Sequence, residues 1–150
     1  LEDDRGERIM GDARIEAWAE GLATTIEALP EATGALVLAD TPYLTTNPGL
    51  CLEQDPSDLV NCSTSRADAI DPRFDAAERA AVESAGGSYA DLNELICPYS
   101  PCPLIFDGKF GWRNRDHITA TLSKMLAPSL GQAVAAAMPD GESEEPAPAD

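Results

Sequence analysis

At 150 residues the chain is long enough for one compact domain and too short for two full-sized ones. Hydrophobic residues at 43% and charged residues at 25% are ordinary globular values, which excludes a wholly disordered or fibrous chain. Asp and Glu number 27 against 10 Lys and Arg, and the formal net charge of −17 repels phosphate backbones and anionic lipid, so neither nucleic acid nor bare membrane surface is an expected partner.

Part of that charge lies at the two ends. Residues 1–11 read as a flexible lead-in, and residues 139–150, acidic and Pro-rich, read as a disordered tail kept in solution by its charge. No apolar run approaches the ~18 residues a membrane-spanning helix needs. The chain lacks a signal peptide and does not begin with Met, so we expect a piece of something longer.

From Asp12 to Leu29, Ile15, Trp18, Leu22, Ile26 and Leu29 recur at steps of three and four, one face of an amphipathic helix. Asp12 is placed to cap it and Pro30 to close it. Residues 35–39 (Ala-Leu-Val-Leu-Ala) form a short continuous apolar run, the pattern of a strand buried in a parallel sheet. Asp40 follows, first a turn residue ahead of Pro42, and second a near-site position, because ligands gather beyond the carboxyl ends of such strands.

Residues 43–70 are rich in Pro, Asn, Ser and Asp and read as a long loop, a length usually tied down or functional. Cys51 and Cys62 lie in it, and Cys97 and Cys102 form a second local pair. Four cysteines allow three connectivities. Zinc would want tighter C-x-x-C spacings and a nearby histidine, so we expect the disulfides Cys51–Cys62 and Cys97–Cys102 and an oxidising, extracytoplasmic compartment.

Asp71 and Pro72 start a second helix, as cap and first helical residue. Its inner face is Phe74, Ala77, Ala81, Val82 and Ala85, and Gly86-Gly87 ends it. Residues 89–92 read as the next strand, which makes strand–helix–strand. Residues 104–106 and 110–112 then flank Asp107-Gly108-Lys109, a hairpin signal. A last helix runs from about Thr119, with Leu122, Met125, Leu126, Leu130, Val134 and Met138 facing inward and Pro128 expected to kink or divide it. This is an α/β order short of strands, since two parallel strands and a hairpin do not make a sheet covered on both faces. The missing strands are expected before Asp12, or from another chain.

His117 is the only histidine and the one side chain whose ordinary pKa suits acid–base chemistry near neutral pH. As a general base it needs an acceptor behind it and a hydroxyl nucleophile in front. Asn114, three residues earlier, and Asp116, its neighbour, are the candidate orienters. Asn can accept from the imidazole but brings no negative charge, and its amide can also hold the wrong tautomer. The alternative for His117 is a capping or packing role at the helix start. Ser88, after Gly86-Gly87, sits in a turn context and not in a nucleophile motif. Arg113 and Arg115 could bind an anionic group but read first as solvated surface charges. Trp18 and Trp112 read as core or rim aromatics.

The ordered set of Trp18, Gly21 and Leu22 on a helix, Asp40-Thr41-Pro42 after a strand, the Cys51–Cys62 loop, residues 89–92 (Tyr-Ala-Asp-Leu), the second Cys pair and residues 117–122 (His-Ile-Thr-Ala-Thr-Leu) resembles the C-terminal part of SGNH hydrolase-like domains fused to acyltransferase-3 membrane proteins. The resemblance spans roughly residues 12–130. It implies an α/β fold with a flavodoxin-like parallel sheet flanked by helices, with residues 12–138 as the C-terminal part of such a domain. It also implies transfer of an acyl group, commonly acetyl, to a hydroxyl of a cell-surface carbohydrate, with His117 as general base. Implied partners are an acyl donor, a carbohydrate acceptor, and an upstream segment or companion chain carrying the serine, in a parent protein embedded in a membrane. No metal or diffusible cofactor is implied. Two departures stand: the family's Gly-Asp-Ser block is absent, and Asn114 stands where the family places Asp. The isolated chain is therefore expected to be inactive. Simple carbohydrate esterase activity, or an inactive secreted, disulfide-stapled binding domain, are the alternatives.

Overall fold

The apolar run at Leu36–Leu38 (β1) pairs in parallel with Ser88–Ala90 (β2), Leu36 opposite Ser88 and Leu38 opposite Ala90, so the second strand begins one residue and ends two residues before the expected 89–92. The computed structural model describes residues 9–30 and 34–138. Most of the expected flexible lead-in (1–8) and the acidic tail (139–150) lie outside the described residues. The fold is mixed α/β, with helices packed around this small parallel sheet.

Helix α1 (Asp12–Glu27) packs along α4 (Pro72–Ser84), which leads into β2. The expected caps shift by a residue or two: Gly11 stands at the N-cap, Asp12 is the first helical residue, and Ala28 closes the helix. Asp71 caps α4 as expected, its side chain accepting from the Arg73 amide, with Pro72 at the first position. Gly86, at φ +79°, takes the left-handed turn that ends α4. Ile26 and Val82 are buried between these layers. Glu78 is also 97% buried there, accepting from Trp18 Nε1 and Tyr89 Oη at 2.9 Å each. Those two donors satisfy a carboxylate that burial alone would penalise heavily.

The segment 43–70 is not irregular throughout. It folds into two short helices, α2 (Pro48–Gln54) and α3 (Arg66–Ala69), each with a side-chain cap, from Asn47 and Ser65. Both expected disulfides are present, Cys51–Cys62 and Cys97–Cys102. With so short a sheet, the stapled loops carry the main core themselves: Leu44, Cys62, Ile96, Cys97, Cys102 and Trp112 are buried together. Arg66 ties α3 to this core, donating to the Cys97 carbonyl oxygen and pairing with Glu94. Asn93–Ile96 forms a one-turn helix, α5, directly after β2.

Strands β3 (Ile105–Phe106) and β4 (Lys109–Phe110) form the expected hairpin, with the turn at Asp107-Gly108, both at positive φ (47° and 70°). The hairpin strands stop short of Trp112, which instead bridges Ile118 across the next loop. Helix α6 (Ala120–Ala137) is capped by the Thr119 hydroxyl and runs through Pro128 as one helix; the expected division is not seen. Its inner face is also shorter than the sequence suggests. Leu122 and Leu126 are buried, whereas Met125, Val134 and Met138 are exposed. Only the first two turns reach the Trp112 core, so the apolar stripe outruns what covers it among the described residues.

Candidate functional site

His117 stands near the tip of a narrow loop that Trp112 anchors. Trp112 is buried, and its Nε1 donates to the Pro103 carbonyl oxygen at 2.9 Å. Paired backbone bonds close the loop: Arg113 N donates to His117 O, and Thr119 N to Gly111 O, both at 2.8 Å. On the outer side, Thr41 Oγ1 donates to the Asp116 carbonyl oxygen at 3.2 Å and Leu44 N to that of Arg115 at 2.7 Å. The chain just past β1 therefore holds the histidine loop at the carboxyl end of the parallel strands.

Inside the loop, one atom organises the histidine. Asn114 Oδ1 accepts the backbone N–H of Asp116 at 3.2 Å and of His117 at 2.8 Å, and lies 3.0 Å from His117 Nδ1. The two amide donors determine which end of the Asn114 amide faces inward: it must be the oxygen. Nδ1 must then carry the proton and donate, which leaves Nε2 as a bare acceptor. This is the tautomer a general base needs, and the wrong-tautomer hazard of Asn does not arise in this geometry. Asp116 Oδ1 lies 3.0 Å from the same Nδ1 and supplies the charge that Asn114 lacks. The imidazole is 65% exposed, so water screens the influence of that carboxylate on the ring. The three residues singled out from the sequence, His117, Asn114 and Asp116, thus meet in space.

Other sequence candidates lie apart from them. Ser88 begins β2, and its hydroxyl makes no hydrogen bond to His117. Arg115 lies over the Tyr43 ring, 5.2 Å from its centroid. Trp18 is a rim aromatic tilted against Phe74, with centroids 5.9 Å apart.

A cavity of about 430 Å³ opens beyond the carboxyl ends of β1 and β2, next to the loop that grips Asp116. Its wall includes Asp40, Thr41 and Tyr43 after β1, Arg14 from the start of α1, Asp71 and Asp75 from the start of α4, and Asn93 after β2. Helices α1 and α4 both begin at this end of the sheet, so their first turns line it. Burial, with Asp91, Glu78 and Asp71 nearby, raises the Asp75 carboxyl to about 6, against a smaller opposing pull from Arg79. Arg73 holds the Asp71 carboxyl below its usual range. Burial and the hydrogen bond to Glu78 push the Tyr89 hydroxyl well up. Asp40 was legible as a near-site position because it follows an apolar strand. Asp75 and Asn93 carried no such signal, since helix-start acids and turn asparagines are common everywhere.

The two disulfides fit an oxidising, extracytoplasmic setting, and no helix among the described residues is long and apolar enough to cross a membrane. The chain matches no protein-family profile, curated protein or solved structure with which it was compared.

Proposed function

We propose that the chain is the C-terminal part of an SGNH-type O-acyltransferase domain, tethered outside the membrane, that moves an acyl group to a carbohydrate hydroxyl. The observation that carries this reading is His117, held with Nδ1 protonated by Asn114 and Asp116 and Nε2 bare, beyond the carboxyl end of a parallel strand pair. Nε2 takes the proton of a serine supplied by an upstream segment or companion chain as that serine attacks the acyl donor. The donor's leaving group departs with the proton, leaving an acyl-serine ester. Nε2 then takes the proton of the acceptor hydroxyl, which attacks the ester and restores the serine hydroxyl.

The strand pair supports a missing segment. β1 is apolar yet has only one hydrogen-bonded neighbour among the described residues, and Leu38 is exposed. The test is a fluorophosphonate probe with a companion polypeptide recovered bound to this chain. Serine labelling on the companion that requires His117, lost in His117→Ala, is expected. His117-dependent ester hydrolysis by this chain alone would sink the split-site reading.

A second reading, an inactive secreted binding domain, is favoured by the uncharged Asn114 and by the lack of any hydroxyl hydrogen-bonded to His117 among the described residues. Failure to recover any labelled serine partner supports it.

A further inference from the structure

We propose that the cavity beyond β1 and β2 binds a hydroxyl-rich ligand carrying a protonated amine, an amino sugar with its amine free. Calling that ligand the acyl acceptor rests on the transferase reading; the binding itself does not.

The cavity wall carries the carboxylates of Asp40, Asp68, Asp71 and Asp75, with Arg14 as its one guanidinium partway round. The acids are spread around the opening and do not converge: among the described residues no three acidic or other ligating groups approach closely enough to hold a metal ion. Carboxylates distributed in this way suit several separate donors on one organic ligand, hydroxyls and an ammonium, better than a single ion.

Asn93 points to a ligand independently of the acids. It is only 3% exposed and lines the cavity, and its Nδ2 donates to the Asp40 carbonyl oxygen at 3.1 Å. That bond turns Oδ1 the other way, and Oδ1 has no hydrogen-bond partner among the described residues. Because no fully buried polar side-chain atom there is left unsatisfied, Oδ1 keeps some exposure, and on a residue that lines the cavity it is an acceptor available to a ligand donor.

Three of the carboxylates already have work. Asp40 accepts from the Thr41 amide, Asp68 from the Ser65 hydroxyl, and Asp71 caps α4 and pairs with Arg73. Asp75 makes no hydrogen bond among the described residues and is half-buried among other acids. A ligand ammonium beside it would relieve that repulsion. Tyr43, about half exposed and with Arg115 over one face of its ring, leaves the rest of that ring as flat apolar surface for the C–H face of a sugar. The Phe74 ring, by contrast, is already packed by Arg14 and Trp18. A uronic acid or phosphorylated sugar would meet the same negative field with the wrong sign.

The test is an amide-shift titration of the isotope-labelled chain at about pH 6.5, where the ligand amine is protonated and most Asp75 is ionised. The probes are chitobiose with free amines, its di-N-acetylated form, and a galacturonic acid disaccharide. The expected result is shifts at residues 40–43, Asp75 and Asn93, with chitobiose at least about tenfold tighter than either of the others. Asp75→Asn should weaken chitobiose about tenfold without lowering the melting temperature, and Tyr43→Ala should weaken all neutral and cationic probes. Equal binding of the three sugars, shifts elsewhere, no binding, or an unchanged affinity in folded Asp75→Asn would each overturn the proposal. Because the readout needs no turnover, binding without any transferase activity removes only the word acceptor. An active assembly whose chain ignores chitobiose removes only this pocket.

Discussion

Thr41 Oγ1 donates to the carbonyl oxygen of Asp116, joining residues 75 positions apart and fixing the histidine loop to the chain that leaves β1. The bond is solvent-exposed, so its removal costs little globally, within about 1 kcal/mol. Its effect is local. Thr41→Val should speed amide exchange at Asp116 and His117 several-fold while the melting temperature barely moves. Unchanged exchange at those two amides would show that the Leu44–Arg115 bond holds the loop by itself.

Nitrogen-15 imidazole shifts of neutral His117 should show Nδ1 protonated and Nε2 bare, because Asn114 Oδ1 is locked as acceptor by two backbone amides. In Asn114→Ala the preference should drop toward the ordinary Nε2–H form, tempered by Asp116. Asn114→Asp should keep the native tautomer and add charge. A native Nε2–H tautomer contradicts the geometry.

Asp75 sets a pH dependence whose sign follows from its raised carboxyl. In the folded state it titrates near 6 against 3.8 for an ordinary Asp, so between those values the folded chain binds more protons than the unfolded one. Stability from this group is therefore lost as pH rises through that window, and regained on acidification. Asp75→Asn should stabilise the chain at neutral pH by on the order of 1 kcal/mol, discounted for solvent screening. The gain should vanish below about pH 4. Urea midpoints for both proteins across that range decide it; a variant less stable at pH 7 contradicts the sign.

Gly111 is buried where β4 turns into the histidine loop, and a Cβ there would collide with the Phe106 ring and lie 3.1 Å from Leu122 Cδ2. Gly111→Ala should destabilise by roughly 1–3 kcal/mol through overpacking. It should also perturb the His117 resonances, since Thr119 N donates to Gly111 O. Pairing it with Phe106→Leu should recover much of the loss. No recovery would place the strain elsewhere.

The sequence alone was enough for the elements whose causes are local. The three- and four-residue spacing of α1 and α4, the Asp71-Pro72 start, the Asp107-Gly108 turn and the Cys51–Cys62 and Cys97–Cys102 staples all arise from residues near one another in the chain. So does the histidine constellation, because Asn114, Asp116 and His117 fit within one turn. Only the tertiary structure decided which atom of Asn114 faces the imidazole, because the amide orientation depends on backbone donors that exist only once the loop is closed. It also decided that α6 buries only two of its six apolar candidates, that Glu78 lies between Trp18 and Tyr89, and that Asp75 and Asn93 share a cavity with Asp40. Those facts depend on distances between residues far apart in sequence, and periodicity reports which face of an element is apolar, not what comes to cover it.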